Sequence, residues 1–126
     1  MSDTTMLLSI VESPTHPNFS ALYRSLGIQE DKVNSSRKAI SRIKDSPPDI
    51  IVAEFFYGYG NNYAGVNISN LDVMLFSLQR YAPLARVIVL VEKSEAQYVD
   101  KLNRIFPLHA VLVQPVSTEE MKTTLQ

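Results

Sequence analysis

The 126-residue chain contains no cysteine and no tryptophan, four glycines and two histidines. Without cysteine, a disulfide framework, a thiolate nucleophile and a thiolate metal site are all excluded, and so is thiol redox chemistry. No apolar stretch approaches the roughly 18 residues of a membrane span, and the N-terminus MSDTTMLLSIVES lacks the basic region of a signal peptide. A cytoplasmic location is the expectation. Twelve Lys and Arg against thirteen Asp and Glu leave a net charge of -1, which gives no global attraction to nucleic acid. The basic cluster Arg37, Lys38, Arg42 and Lys44 reads as a solvated helix face. His16 and His109 do not form a metal spacing; each reads as a solvent-facing residue. Phosphate-loop, dinucleotide and Ser-His-Asp patterns are missing, and Gly58-Tyr-Gly has neither a third glycine nor a helix context.

What the chain does have is apolar patterning. With 45% hydrophobic residues it can bury the core of one domain, 1–126. Apolar runs recur at Met6 to Val11, Asp49 to Glu54, Arg86 to Val91 and Ala110 to Val113. Such short runs between helical patterns predict parallel strands buried on both faces. A shorter, more polar edge strand is expected around Lys32 to Asn34. The first three runs lead into Glu12, Glu54 and Glu92, at the carboxyl ends where an open α/β sheet carries its ligand crevice.

Helical spacing joins Phe19, Leu22, Tyr23 and Leu26, with Pro17 before them and Gly27 as the stop. A second helix carries Ala39, Ile40 and Ile43 behind a Ser35 or Ser36 cap. The third carries Leu71, Met74, Leu75 and Leu78, with Asn70 as its cap. A Ser94/Gln97 capping box is expected to open a fourth helix with Tyr98, Leu102, Ile105 and Phe106, and Ser117/Glu120 to open a fifth with Met121 and Leu125. Five strands alternating with five helices predict a doubly wound α/β sheet.

Two stretches, SSRKAISRIKDSPPDIIVAE and AVLVQPVSTEEM, carry a resemblance. In both, the chain resembles the receiver domains of two-component response regulators, and the likeness runs along essentially its whole length. The resemblance implies a flavodoxin-like, CheY-like fold with five parallel strands in the order 2-1-3-4-5. In receivers, Pro-Asp and four apolar residues lead to the aspartate that accepts phosphate; here Pro48-Asp49-Ile-Ile-Val-Ala leads to Glu54. The acidic pair after the first strand corresponds to Glu12-Ser13. The hydroxyl residue closing the fourth strand corresponds to Val91, and the Lys-Pro that ends the fifth corresponds to Gln114-Pro115. Glu12 and Pro115 are what survives of the family's phosphorylation pocket.

Phosphoryl transfer to a carboxylate needs octahedral Mg²⁺, cationic compensation and a nucleophile in line. Glu12, Glu54 and the Phe56 carbonyl offer at most a weak metal set. Gln114 cannot neutralise a phosphoryl group, Val91 cannot hydrogen-bond it, and a glutamate stands one methylene too far forward. Glu54 then mimics a phosphorylated aspartate, joins Glu12 on a metal, or forms a polar strand end that is hydrogen-bonded or faces water; the last is favoured. No cofactor is expected.

Residues 55–65 concentrate five of the eleven Phe and Tyr residues and three of the four glycines. Phe56, Tyr57, Tyr59 and Tyr63 are candidates for a loop that folds over the strand ends and contacts a partner or ligand. From the resemblance, Tyr98, Leu102, Val113 and Met121 mark a face for homodimers or output. The expectation is a non-enzymatic pseudo-receiver, a phosphorylation-independent signalling module that binds a protein or its own copy, with no nucleic-acid or membrane partner. The alternatives are a small-ligand sensor closed by the tyrosine-rich loop and a phosphoacceptor still active at Glu54 or Ser13.

Overall fold

The computed structural model describes residues 4–57 and 69–126. Strands β1 (Thr5–Ile10), β2 (Ile28–Val33), β3 (Ile50–Glu54), β4 (Arg86–Val91) and β5 (Ala110–Val113) form one sheet in the order β2-β1-β3-β4-β5. All four pairings are parallel. Between them run α1 (Ser20–Ser25), α2 (Ser36–Asp45), α3 (Asp72–Tyr81) and α4 (Ala96–Val99), and α5 (Thr118–Leu125) follows β5. The expected doubly wound sheet and its strand order are therefore those of the structure.

Because strand side chains alternate between faces, each central strand feeds two cores. Leu8, Ile10, Ile51, Ala53, Val87, Val89 and Val91 pack with buried residues of α2, α3 and α4. Leu7, Ile50, Val52, Ile88 and Leu90 pack with Phe19 and Tyr23 on one side and Met121 and Leu125 of α5 on the other. Glu54 has the parity of Ile50 and Val52, so β3 directs it to the α1/α5 side of the sheet.

Local signals explain most boundaries. Ser35 accepts a bond from the Lys38 N–H as the N-cap of α2, and Ser117 and Glu120 form a reciprocal capping box on α5. Gly27, at φ +75°, follows α1 in the left-handed conformation that glycine adopts without a steric penalty. The edge strand β2 is longer than expected because Ile28 and Val33 bracket the polar middle of a full six-residue register with β1.

Two expectations fail. The fourth helical segment is a single α-turn between 3₁₀ turns Lys93–Glu95 and Asp100–Arg104, and no side chain caps it. Tertiary packing of Val99, Leu102 and Phe106 holds this segment in place of a regular hydrogen-bond ladder. Asn70 does not cap α3. Before that helix, the Ser69 N–H and hydroxyl both bond the Asp72 carboxylate, and the Ser69 hydroxyl oxygen accepts from the Leu71 N–H.

Candidate functional site

The site forms where the carboxyl ends of β1 and β3 meet the loops that follow them. Ile10 pairs with Ala53 across the two strands, which delivers Glu12 and Ser13 to the end of β3. There the Glu54 carboxylate is only 1% exposed. Its Oε1 accepts the backbone N–H groups of Glu12 at 2.9 Å and Ser13 at 3.1 Å, and His16 Nδ1 lies 3.1 Å away. The Ser13 hydroxyl donates to Oε2. Glu54 thus belongs to the hydrogen-bonded strand end that the sequence favours.

His16 corrects the sequence reading. Its side chain is 4% exposed and its Nδ1 lies within hydrogen-bond distance of Glu54, because the turn around Ser13–His16 folds it back onto the strand end. Burial pushes the Glu54 pKa up, but the hydrogen bonds from His16, Ser13 and the Glu12 backbone outweigh it, and the net value lies below the ordinary 4.5. Glu12 goes the other way. Burial raises its pKa above 4.5 and the Glu54 charge adds to this, against a lowering hydrogen bond from Asn70.

Asn70 is the residue that sequence reasoning misplaced. Its Nδ2 donates to Glu12 Oε1 at 2.7 Å and to the Glu54 carbonyl at 2.8 Å, while its Oδ1 accepts the Phe56 N–H at 2.8 Å. One amide so ties the ends of β1 and β3 to the entry of α3. The proximity of Asn70 to an apolar helical pattern suggested a cap, and no local signal revealed contacts to residues as distant as Glu12.

A second network, not foreseen, lies beside the first. Ser9 of β1 and Ser20 of α1 each donate at 2.6 Å to one oxygen of Glu30, which fixes α1 against β2.

Glu12 and Glu54 are neighbours, but they do not fit a divalent cation. Glu54 Oε1 already meets three nitrogen groups and Oε2 a hydroxyl, and Glu12 Oε1 holds Asn70. No group of three or more His, Cys, Asp or Glu with metal-holding geometry occurs among the described residues. Glu92, the third acid of the strand ends, is exposed and takes no part in this network.

Val91 is fully buried in the α2/α3/α4 core. Gln114 and Pro115 follow β5 with a cis peptide between them, and the Gln114 N–H bonds the Val91 carbonyl at 2.8 Å. Of the aromatic segment, Phe55 is core and Phe56 is half-buried. Tyr57 stacks on Tyr98 with ring centroids 3.8 Å apart, and its N–H bonds Glu95. The start of the loop is therefore anchored on α4. Tyr59 and Tyr63 lie outside the described residues.

The proposed dimer face is corrected in part. Leu102 and Met121 are fully buried, one beneath the fourth helical segment and one beneath α5, so neither is available to a partner. Tyr98 is half-buried, and Val113 is 41% exposed, as is Val111.

No family model matches the chain, and no curated protein does either. Solved structures do. A chemotaxis response regulator of Vibrio cholerae superposes with a TM-score of 0.74 at 14% identity, over 98% of both chains. The receiver domain of a Pseudomonas aeruginosa sensor histidine kinase, which holds magnesium in its active-site cleft, gives 0.73 at 15% identity over 98% of this chain and 96% of that one. A putative response regulator of Chloroflexus aurantiacus gives 0.74 at 11% identity over 98% and 95%. The fold is that of CheY-like receiver domains; at these identities the likeness is one of fold.

Proposed function

We propose that this chain is a pseudo-receiver, a non-enzymatic signalling module that works in the cytoplasm by binding other proteins, without phosphorylation. The observation that carries this reading is the state of Glu54. Nucleophilic attack needs a carboxylate oxygen free to approach phosphorus in line, with a cation opposite. Here both oxygens are engaged by Ser13, His16 and two backbone N–H groups inside a closed strand end. With Gln114 and Val91 where receivers place a lysine and a hydroxyl, the neighbourhood supports a structural role for the acid.

The surface that favours partner binding is the edge of β5 with the stacked pair beside it. Val111, Val113 and Tyr57 are each more than two-fifths exposed, and apolar and aromatic groups are the usual anchors of recognition. We assign self-association to this edge as well. The test is capture of native-extract proteins on the immobilised chain, before and after treatment with acyl phosphate and Mg²⁺. The same partners in both states support the reading; partners that appear only after treatment overturn it.

A further inference from the structure

Among the described residues, the large apolar side chains exposed on a helix are both on α3: Val73 at 53% and Phe76 at 54%. Three residues apart, they share one face of the helix. Its other face, with Met74, Leu75 and Leu78, is already packed in the core, so Val73 and Phe76 do not serve the fold. Arg80 extends the exposed stripe by one turn, and Leu84, in the turn after the helix, is 93% exposed. A single exposed apolar residue is ordinary, but a row of them rimmed by charge marks a contact surface.

The charge beside this stripe is positive. The Arg80 guanidinium and Lys44 Nζ, which α2 brings alongside, lie 5.5 and 5.6 Å from the centroid of the half-buried Tyr81 ring. One ring therefore gathers both cations at the C-terminal end of α3. Apart from the Arg42–Asp31 pair and the His16–Glu54 contact, no cation lies within ion-pair distance of a carboxylate among the described residues, so no acid neutralises Lys44 or Arg80. Exposed Arg37 and Lys38 stand at the start of α2 and exposed Asp45 at its end, while Asp72 of α3 is buried and bonded to Ser69.

A second copy is a poor occupant. All strand pairings are parallel, so α2 and α3 run in the same direction, and laying this face on itself in either orientation sets basic residues against basic residues. The complement is an apolar stripe edged with acid.

We propose that the outer face of α3 docks an acidic amphipathic helix of a partner protein. Its apolar side lies along Val73 and Phe76, in the helix-on-helix mode whose anchors recur every three or four residues, and its carboxylates meet Arg80 and Lys44. The proposal rests on the module reading only in that the chain binds proteins. Its test involves neither acyl phosphate nor the β5 edge, so the two fail separately.

The probe is a fluorescent helical peptide of about 16 residues, long enough to hold a helix, with leucine on one face and glutamate on the other. Anisotropy should show saturable binding that weakens as salt is added, and a counterpart with lysine in place of glutamate should not bind. Lys44→Ala/Arg80→Ala and Val73→Ser/Phe76→Ser should each lower affinity about tenfold or more. All four side chains are exposed, so both variants should fold; Lys122→Ala on α5, across the sheet, should bind like the parent. Vesicles of phosphatidylcholine and phosphatidylserine should not displace the peptide. No binding of the glutamate peptide, equal binding in either double variant, or equal binding of the lysine peptide overturns the proposal, and displacement by the vesicles overturns it in favour of a membrane surface.

Discussion

His16 Nδ1 and Glu54 Oε1 stand 3.1 Å apart with side chains 4% and 1% exposed, at the end of the central strand β3. A carboxylate buried to this degree is stable only if donors replace the water it has lost. The loop after β1 supplies them as two N–H groups, a hydroxyl and an imidazole. The acid, in turn, orders that loop.

Removing this acceptor should be costly. Glu54→Ala leaves two backbone donors, the Ser13 hydroxyl and His16 without this acceptor, and the expected loss is about 3 kcal/mol, since each buried donor left unsatisfied costs about 1–3 kcal/mol. Glu54→Gln keeps one oxygen and should lose less. Denaturant midpoints at constant m-value measure both. A change below about 0.5 kcal/mol in the alanine variant, the range of ordinary surface substitutions, contradicts the anchoring role.

Acid should weaken the fold through the same group. The Glu54 pKa is lower folded than unfolded, so its contribution is present above the ordinary value of 4.5 and is lost as pH falls through the folded value. Glu12 opposes this. Its pKa is raised in the folded state, so it penalises the fold as pH climbs from 4.5 through that raised value. Stability measured from pH 3 to 7 should show an acid limb below about pH 4.5 that is shallower in Glu54→Gln. An unchanged acid limb in that variant contradicts the assignment.

Asn70→Ala should destabilise by about 2–3 kcal/mol, because it removes three hydrogen bonds at once, to the Phe56 N–H, the Glu54 carbonyl and the Glu12 carboxylate. Asn70→Asp should be worse, since it sets a third carboxylate beside two others. Thermal unfolding checks the order. A melting temperature for the alanine variant within a degree of the parent counts against the role given to this amide.

Leu102→Ala should lower stability by about 2–4 kcal/mol, the cost of a cavity in a packed core, and leave the association state unchanged. Sedimentation across a dilution series, beside a denaturant melt, separates the two effects. Altered association with unchanged stability contradicts the burial of Leu102.

The sheet was legible because its information is local and periodic. The bounds of β4 and β5, the Ser35 cap and the Ser117/Glu120 box are all written within a few neighbouring residues. The site was legible only as a set of strand ends. Glu12, Ser13 and Glu54 follow from where the strands stop, but His16 and Asn70 reach Glu54 through a turn and a side chain spanning 38 and 16 residues of sequence. No periodicity encodes such contacts. Leu102 and Met121 were misread for a related reason: the resemblance points to a face of the fold but does not say which of its apolar side chains the chain's own sheet covers. The fourth helical segment likewise shows the spacing of a helix, while its two ends are 3₁₀ turns.

The central claim is that Glu54 anchors a loop and does not accept phosphate, and intact mass after incubation with an acyl phosphate and Mg²⁺ tests it most directly. The account predicts an unchanged mass under conditions that label an active receiver run in parallel. A stable gain of one phosphoryl group, present in the parent chain and lost in a folded Glu54→Gln variant, would contradict it.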